Sequence, residues 1–489
     1  STVEKVTDMY TRFATEEDNF FTVGVEDAYR VLYDDASSDE RRNQVLDCIV
    51  EGLTCVLVTL KWIPVIRAQR GGPAESVARS LNDKLRELLV QKRSVFLAEK
   101  TQPRSSYQRP LILLLDRTID VPSMVHHSWS YISLLQNTLD MKGCRVTIDV
   151  DARDETGNGA KKDTEFLLDP SDTFWEENRA NPFPKVAENI EASLVDYRNE
   201  VERINQASRA SKELTQTTSE LASTIANLPE LTKRKQCLDM HTELATKLLD
   251  KIRSRGLDVF FELEGQLMTK NLSSKAPVFE VLRGDKGSKE DKMALCIVYY
   301  LTAPEITRID FAELQEAMKS AGCGEQLLEY LRVLRTPTEA ADVAVRPSLY
   351  APGTKRAFVK SVFSNALDRG VKGLSQAATK VKERVIQIEN AMPTSRSVNG
   401  AMEASTSVTE NLVGFDPKQI RGSESADGTK RVFDEAIVFV VGGGNYVEFE
   451  NVKTHSNGKR IIYGSTCLCS SEEFLRDIAS ISKPVQKCP

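Results

Sequence analysis

The sequence predicts an α/β protein in which a parallel-sheet domain, split in sequence, carries a large inserted helical domain. Two observations support this: short apolar runs typical of buried strands stand near both ends of the chain, and long helical stripes fill the region between them. Residues 1–125 and 429–489 are therefore assigned to one discontinuous α/β domain, and residues 126–428 to the helical domain.

The strands of the α/β domain are predicted from runs that are apolar without interruption, a pattern typical of strands buried on both faces. Between the first two runs, apolar residues from Ala74 to Leu89 recur at spacings of three and four, which predicts a helix. Strand, helix, strand is the repeating unit of a parallel sheet. The strand candidates are 54–60 (TCVLVTL), 110–116 (PLILLLD), 435–441 (EAIVFVV) and 460–465 (RIIYGS).

The inserted segment predicts a long antiparallel helical hairpin over residues 184–255. One apolar stripe ends at Ile204 and a second begins at Leu214, and the second is interrupted by Pro229 before it resumes. The small, polar stretch 205–213 predicts the tip of the hairpin. Two segments rich in Ser, Gly, Asn or charge predict exposed loops: 151–163 and 394–428.

The composition is that of an ordinary globular protein, 40% hydrophobic and 28% charged over 489 residues. Lys and Arg number 65 against 71 Asp and Glu, so the net charge of −6 gives no global basic field and nucleic acid is not expected as a partner. Nine scattered cysteines favour thiols in a reducing compartment over a disulfide framework. No apolar run approaches the roughly 20 residues that span a membrane, and the start of the chain has no signal-peptide pattern.

Two features resemble parts of a catalytic site. Gly442-Gly443-Gly444 follows a buried strand and would suit a phosphate, but its spacing fits no nucleotide-binding motif, so a tight structural turn is favoured. Asp116 and Asp120 stand at the carboxyl end of a strand, where α/β enzymes keep catalytic acids. Arg117 lies between them, which favours a salt-bridged structural corner.

Metal-ligating patterns are equally incomplete. The pair His126-His127 is far in sequence from His241 and His455, so core or capping histidines are the favoured interpretation. Cys467-x-Cys469 lacks a second pair of ligands at zinc spacing, which favours a structural role. The sequence predicts no catalytic residues, no metal and no cofactor.

Four segments, taken together and in order, resemble the Sec-one/Munc-eighteen (SM) family, most closely its endoplasmic reticulum–Golgi branch. They are 109–141 (RPLILLLDRTIDVPSMVHHSWSYISLLQNTLDM), 168–190 (LDPSDTFWEENRANPFPKVAENI), 228–252 (LPELTKRKQCLDMHTELATKLLDKI) and 433–452 (FDEAIVFVVGGGNYVEFENV). The resemblance covers nearly the whole chain. It implies a Rossmann-like split domain that carries a helical domain, as part of the arch typical of this family.

The resemblance also implies a function. Members of the family are non-enzymatic chaperones that bind syntaxin-class and vesicle SNAREs and template SNARE-complex assembly for vesicle fusion. We therefore expect a monomer in the cytoplasm, peripheral at Golgi and endoplasmic reticulum membranes, with tethering factors as further partners. Family members begin with another α/β domain that binds the syntaxin-class SNARE, and this sequence resembles the family from just after that domain. A second departure is the short segment between Val452 and Arg460, where family members carry a longer helix.

In the resembling family the helical hairpin guides the vesicle SNARE. A proline inside a helix removes a backbone donor and costs about 3 kcal/mol, so Pro229 is expected to favour a folded-back hairpin. A simple kink is the alternative. The candidate contacts share one face beside the proline, although packing within the hairpin would explain them equally well: Leu221, Ile225 and Leu228.

Residues 354–388 predict a basic amphipathic helix. They hold eight basic residues against two acidic ones, opposite in sign to the whole chain, with an apolar stripe along one face. Their position matches a long loop in the resembling branch, which implies a lid, assigned to 346–395, that opens on a vesicle membrane. A permanently docked helix is the alternative. The expected membrane-binding or lid residues are Phe358, Val359, Val362, Phe363, Leu367 and Leu374.

Two other functions remain open on the sequence alone. A nucleotide-dependent α/β enzyme would use the triple glycine and Asp116. A structural subunit of a tethering complex would need neither a reaction nor SNARE binding.

Overall fold

The computed structural model of the chain describes residues 9–91, 96, 109–139, 141–153, 159–168, 171–210, 218–272, 274–324, 326–335, 392–419 and 431–481. The described residues form two compact units. The sheet unit lies within 1–126, 263–354 and 387–489, and the hairpin unit lies within 127–262.

A seven-stranded sheet forms the core of the sheet unit, in the order β1-β2-β9-β8-β4-β3-β7. The five inner strands pair in parallel, and the two edge strands β1 and β7 are antiparallel to their neighbours. This confirms the predicted parallel sheet and its split in sequence. The strands are β1 (Ala14–Glu17), β2 (Phe20–Thr22), β3 (Val65–Gln69), β4 (Leu111–Asp116), β7 (Leu412–Phe415), β8 (Glu435–Val441) and β9 (Arg460–Ser465).

One strand prediction is wrong, because residues 54–60 form the end of helix α2 (Asp39–Leu60). Ser38 caps this helix through the N–H group of Arg41. Every residue from Gly52 to Val58 is buried, so the stretch has no polar face and its sequence cannot be told from that of a buried strand. Among the described helices, α2 alone is long and apolar enough to cross a membrane, but half of its most apolar 18-residue stretch is buried, and it packs against the helix Pro73–Gln91 as a core helix does.

The helices of the sheet unit come from three parts of the sequence: the first part of the chain, the segment after the hairpin and the last part of the chain. The strand that sequence analysis missed, β3, follows α2 directly, and α3 confirms the helix predicted from Ala74 to Leu89. The helices, each given where it occurs in the chain, are α1 (Ala28–Tyr33), α2, α3 (Pro73–Gln91), α4 (Pro122–Val125), α10 (Ala276–Arg283), α11 (Lys289–Thr302), α12 (Arg308–Ser320), α13 (Gln326–Arg335), α14 (Pro393–Met402), α15 (Thr406–Thr409), α16 (Tyr446–Thr454) and α17 (Ser471–Ile481).

This division differs from the expected helical domain 126–428. The helices α11 and α13 pack against α17 of the sheet unit, and Tyr330 of α13 lies with its hydroxyl 2.9 Å from that of Tyr29 in α1. The segment 394–428, expected as a loop, contributes α14, α15 and β7 to the same unit. Its small polar residues are explained by packing, since Thr394 and Ser395 are buried and hydrogen-bonded.

The hairpin unit contains two long helices and a two-stranded antiparallel ribbon. The ribbon pairs β5 (Arg145–Arg153) with β6 (Gly159–Leu167), so most of the loop predicted at 151–163 is strand. Polar and apolar residues alternate along β5, whose apolar positions are Val146, Ile148, Val150 and Ala152, and this alternation is the strand signal in the sequence. The helices are α5 (Tyr131–Thr138), α6 (Thr173–Asn178), α7 (Phe183–Ala210), α8 (Thr218–Arg255) and α9 (Leu257–Met268), the last of which continues into the sheet unit.

The helices α7 and α8 pack on each other as the predicted hairpin. The predicted interruption at Pro229 is wrong, because α8 runs without a break through the proline. Pro229 is exposed, while a buried stripe on the following turns holds the helix in place. That stripe is Leu231, Leu238, His241, Leu244, Leu248 and Ile252.

Candidate functional site

The predicted corner after β4 is built on a buried ion pair. Arg117 and Glu448 are fully buried and form two parallel bonds, Nη1–Oε2 of 2.7 Å and Nη2–Oε1 of 2.8 Å. Arg117 also donates to the carbonyl oxygens of Asp120 and Gly443. The structural corner is confirmed, and Glu448 is the acidic partner in its bidentate salt bridge.

Glu448 accepts hydrogen bonds from two further side chains, those of Tyr463 and Thr394. Burial alone would raise the pKa of the Glu448 carboxyl, but the Arg117 charge and these bonds outweigh it and hold the pKa below its usual value. The Glu448 carboxylate is therefore fully occupied by the fold.

The two aspartates near Arg117, Asp116 and Asp120, also accept hydrogen bonds from backbone N–H groups. Asp116 accepts from the N–H group of Ala74 at 2.8 Å and from the Tyr33 hydroxyl at 3.1 Å, which caps the start of α3. Asp120 accepts from both the N–H group and the hydroxyl of Ser123. Burial raises the pKa of each carboxyl to about 6, although these bonds oppose the shift. Both groups hold local structure at the place where a catalytic acid was considered.

The triple glycine is a tight turn, as predicted. Gly442 and Gly443 have φ of +110° and +99°, which only glycine adopts without strain. The N–H groups of both donate to the Thr466 hydroxyl, and that of Gly444 donates to the Cys467 carbonyl oxygen. A phosphate would have to compete with these internal bonds for every amide of the turn.

The remaining candidates are structural too. Cys467 and Cys469 are buried with their Sγ atoms 3.1 Å apart. His126 is buried, and His455 ends α16 with its Nδ1 2.8 Å from the Asn451 carbonyl oxygen. The favoured interpretation, core or capping histidines and structural cysteines, is confirmed at these positions.

A second polar cluster, missed in the sequence, lies where the middle of α8 meets the start of α6. The fully buried His241 ring has Nε2 3.1 Å from Asp172 Oδ2 and Nδ1 3.0 Å from the Tyr131 hydroxyl. Cys237 Sγ lies 3.1 Å from both oxygens of Asp172, which also accepts the Trp175 N–H group. The nearest signal in the sequence was the i, i+4 spacing of Cys237 and His241 on one face of α8.

Charge distribution in this cluster follows from its hydrogen bonds. Burial would raise the pKa of Asp172, but bonds from His241, Cys237 and Trp175 outweigh it and lower the pKa to about 2. Burial, together with the bond to Asp172, raises the pKa of the Cys237 thiol to about 12. Since a carboxylate only accepts, His241 donates to Asp172 through Nε2, and in a neutral ring its Nδ1 then accepts the Tyr131 proton. The cluster therefore ties α8 to α6 through one carboxylate.

The described side chains on the outer part of α7 are exposed or half-buried. In α7 the buried residues end at Ile190, and from residue 191 to 206 no side chain is buried. Val195 in this part keeps 47% of its surface in solvent. Of the predicted contacts, Leu221, Ile225 and Leu228 lie in α8 but their side chains fall outside the described residues, and Pro229 is exposed. The structure thus places all four on the outer part of one helix.

The predicted lid residues lie outside the described part of the chain: Phe358, Val359, Val362, Phe363, Leu367 and Leu374. Of the segment 346–395, only its last four residues are described. They open α14, whose first turn is buried in the sheet unit.

Together these features define the class: a split α/β protein whose polar corner is occupied by its own contacts and which carries an exposed helical hairpin. The Sec1 family profile matches residues 1–477. A human relative, "Sec1 family domain-containing protein 1", is 33% identical over 98% of this chain and 78% of its own length. "Protein sly1" of Schizosaccharomyces pombe is 33% identical over 98% of this chain and 77% of its own length.

Comparison with solved structures finds the same fold. The chain is similar to Sly1p in a complex with an N-terminal peptide of Sed5p, with a TM-score of 0.74 and 27% identity over 98% of this chain and 75% of that one. A structure of Vps45 in complex with the Qa SNARE Tlg2 shares the fold, with a TM-score of 0.65 and 19% identity over 96% of this chain and 76% of that one. The chain belongs to the Sec1 family.

Proposed function

We propose that this chain binds syntaxin-class and vesicle SNAREs and templates their assembly for vesicle fusion in transport between the endoplasmic reticulum and the Golgi. The observation that carries the proposal is the match to Sly1-type relatives along 98% of the chain. One such protein, Sly1p, holds an N-terminal peptide of Sed5p in its solved structure.

The surface proposed for the vesicle SNARE is the outer part of the hairpin. An amphipathic helix binds by laying its apolar face against a complementary surface, and α7, which has no buried side chain from residue 191 to 206, offers such a surface beside α8. The proposed contacts are Leu221, Ile225 and Leu228, with Pro229 beside them. Arg234 and Glu200 form an exposed ion pair across the two helices at 3.2 Å, which leaves charged groups at the rim of this surface.

The chain acts by binding rather than by chemistry in this proposal. Support comes from the bonds already described: the Glu448 carboxylate, the Asp116 carboxylate and the amides of the triple glycine each serve the fold. A nucleotide-dependent enzyme would need at least one of these groups for its ligand. Isothermal titration with common nucleotides should therefore show no stoichiometric binding.

A second surface is proposed for the vesicle membrane. The segment 354–388 combines an apolar stripe with eight basic residues against two acidic ones, and such helices bind anionic lipid surfaces. We expect the chain to float with small anionic vesicles, and a variant with Phe358→Asp and Phe363→Asp to stay at the bottom of the gradient. If both proteins float, or both stay at the bottom of the gradient, the segment 354–388 does not bind membranes.

Location follows from these partners. We propose that the chain acts in transport between the endoplasmic reticulum and the Golgi and lies peripherally at the membranes of both, with tethering factors as further partners; the match to "Protein sly1" supports this. A purely structural subunit of a tethering complex is the competing function.

A pull-down with purified Golgi SNAREs tests the proposal. The full chain, immobilised, should retain a syntaxin-class SNARE and a vesicle SNARE. Retention of tethering subunits without any SNARE would instead support the structural subunit.

A further inference from the structure

The cluster at the middle of α8 brings together three side chains that the proposed function does not use. Asp172, Cys237 and His241 each offer one donor atom, an oxygen, a sulfur and a nitrogen, and these atoms lie within 4.8 Å of one another. We propose that they form a zinc site. A mixed set of carboxylate, thiolate and imidazole is typical of Zn²⁺, which prefers tetrahedral coordination by such ligands.

The distances fit an ion at the centre of the three atoms. The Cys237 sulfur and the His241 Nε2 are each 3.1 Å from the Asp172 carboxylate. With zinc bonds of about 2.0–2.3 Å, neighbouring donors in a tetrahedral site lie roughly 3.3–3.7 Å apart. The contacts of the carboxylate with Cys237 and His241 therefore need to lengthen by only a few tenths of an ångström, and the sulfur and the ring nitrogen lie within 4.8 Å of each other. Cys237 is partly exposed, so water can fill the fourth position and the ion can reach the site.

The surroundings already orient the ligands. The His241 ring lies parallel to the Trp175 ring at an interplanar angle of 10°, and the Phe174 ring is 4.7 Å away, which fixes the plane of the imidazole. Tyr131 contacts the ring nitrogen that would face away from the ion, and the Trp175 N–H group holds the carboxylate. Such outer contacts set the tautomer and orientation of metal ligands in proteins.

Zinc binding changes the protonation of two ligands, Cys237 and His241. Without the ion, Cys237 is a thiol and His241 carries its proton on Nε2. On binding, the thiol releases one proton to solvent and becomes the sulfur ligand. The imidazole proton moves through solvent from Nε2 to Nδ1, where the Tyr131 oxygen accepts it, so that Nε2 can coordinate. The two negative ligands then neutralise Zn²⁺, and affinity increases with pH because a proton is released.

The ligands come from two elements of the hairpin unit. Cys237 and His241 lie one turn apart in α8, and Asp172 is the N-cap of α6. An ion bound to all three would join α6 to the middle of α8 through coordinate bonds. Zinc would therefore stiffen the helix that carries the proposed SNARE contacts.

Titration of the metal-free full chain with Co²⁺, followed by displacement with Zn²⁺, tests the site. We expect one equivalent of tetrahedral cobalt with a thiolate-to-cobalt charge-transfer band. Cys237→Ser should abolish that band and weaken zinc binding at least about tenfold. Cys48→Ser, at an exposed cysteine of α2, is the matched control and should change neither.

Asp172→Asn provides a second variant, because asparagine can still cap α6 while the negative charge is lost. It should weaken zinc binding as Cys237→Ser does. Hydrogen exchange gives an independent readout: zinc should slow the exchange of α8 amides around residues 237–252 in the wild type and not in either variant. No charge-transfer band in the wild type, or an undiminished band in Cys237→Ser, would overturn the proposal. Zinc binding without slower hydrogen exchange of the α8 amides would show that zinc does not stiffen this helix.

Discussion

The polar corner of the sheet unit and the outer part of the hairpin differ in what their sequences suggest and in what their structures leave exposed. The corner contains the residue types of an active site, yet Arg117, Asp120 and Glu448 are buried and bonded within the fold. The hairpin has an ordinary helical sequence, yet α7 has no buried side chain from residue 191 to 206. Reactive residue types show where the fold needs polar contacts, whereas exposure of an apolar and charged helical surface shows where a partner can bind.

The largest effect should come from breaking the polar corner. Glu448→Gln leaves the Arg117 guanidinium buried without its counter-charge, so we expect the free energy of unfolding of the sheet unit to fall by about 3–5 kcal/mol. Hydrogen exchange of the β4 and β8 amides in increasing denaturant measures this.

The control is Glu51→Gln, which removes an ion pair to Arg12 whose side chains are both more than half exposed. Its effect should stay below about 1 kcal/mol. Equal losses for the two variants would mean that the corner is not the structural core of the unit.

A smaller effect concerns pH. Burial raises the pKa of Asp116 to about 6, above its value in the unfolded chain, so protonation favours the folded state. The contribution of Asp116 to stability should therefore increase as the pH falls from 7 towards 4. Relative to Asp116→Asn, the wild type should gain about 1–3 kcal/mol over this range, measured from urea unfolding at each pH.

The hairpin unit has the opposite dependence. The pKa of Asp172 is lowered to about 2, so the contribution of Asp172 to stability is present above about pH 4 and is lost as the pH falls further.

The Asp116 prediction is contradicted if the stability of the Asp116→Asn variant follows that of the wild type at every pH. The Asp116 carboxyl would then not titrate as its burial requires.

Much of the fold could be predicted because its strongest patterns are local. Continuous apolar runs identified β4, β8 and β9, and regular spacing identified α3 and the hairpin. The run at 54–60 was misassigned because a helix buried on all sides leaves no period to read. The polar cluster of the hairpin unit was missed because Asp172 lies 65 residues before Cys237 and only tertiary packing joins them. Glu448 was missed as the partner of Arg117 for the same reason.

A still smaller effect is expected within the hairpin. Pro229 lies exposed inside the continuous α8, and replacing it by alanine restores one backbone donor and removes a steric clash. Pro229→Ala should slow hydrogen exchange in the turn before it and strengthen vesicle-SNARE binding by about tenfold or less. The neighbouring exposed residue provides the control, Glu230→Ala, which should leave both unchanged. Weaker or equal binding by a folded Pro229→Ala protein would show that Pro229 does not limit vesicle-SNARE binding.

The affinity of the full chain for a vesicle SNARE tests the central claim most directly, when wild type is compared with a variant that carries Leu221→Asp and Ile225→Asp. Charges on the proposed contact face should weaken binding by more than about tenfold, as loss of buried apolar anchors does at helix-binding surfaces. Val333→Asp, at an exposed apolar position of α13, should bind as the wild type does. The same affinity in all three proteins, with the hairpin intact by circular dichroism, would contradict the assignment of SNARE binding to the hairpin.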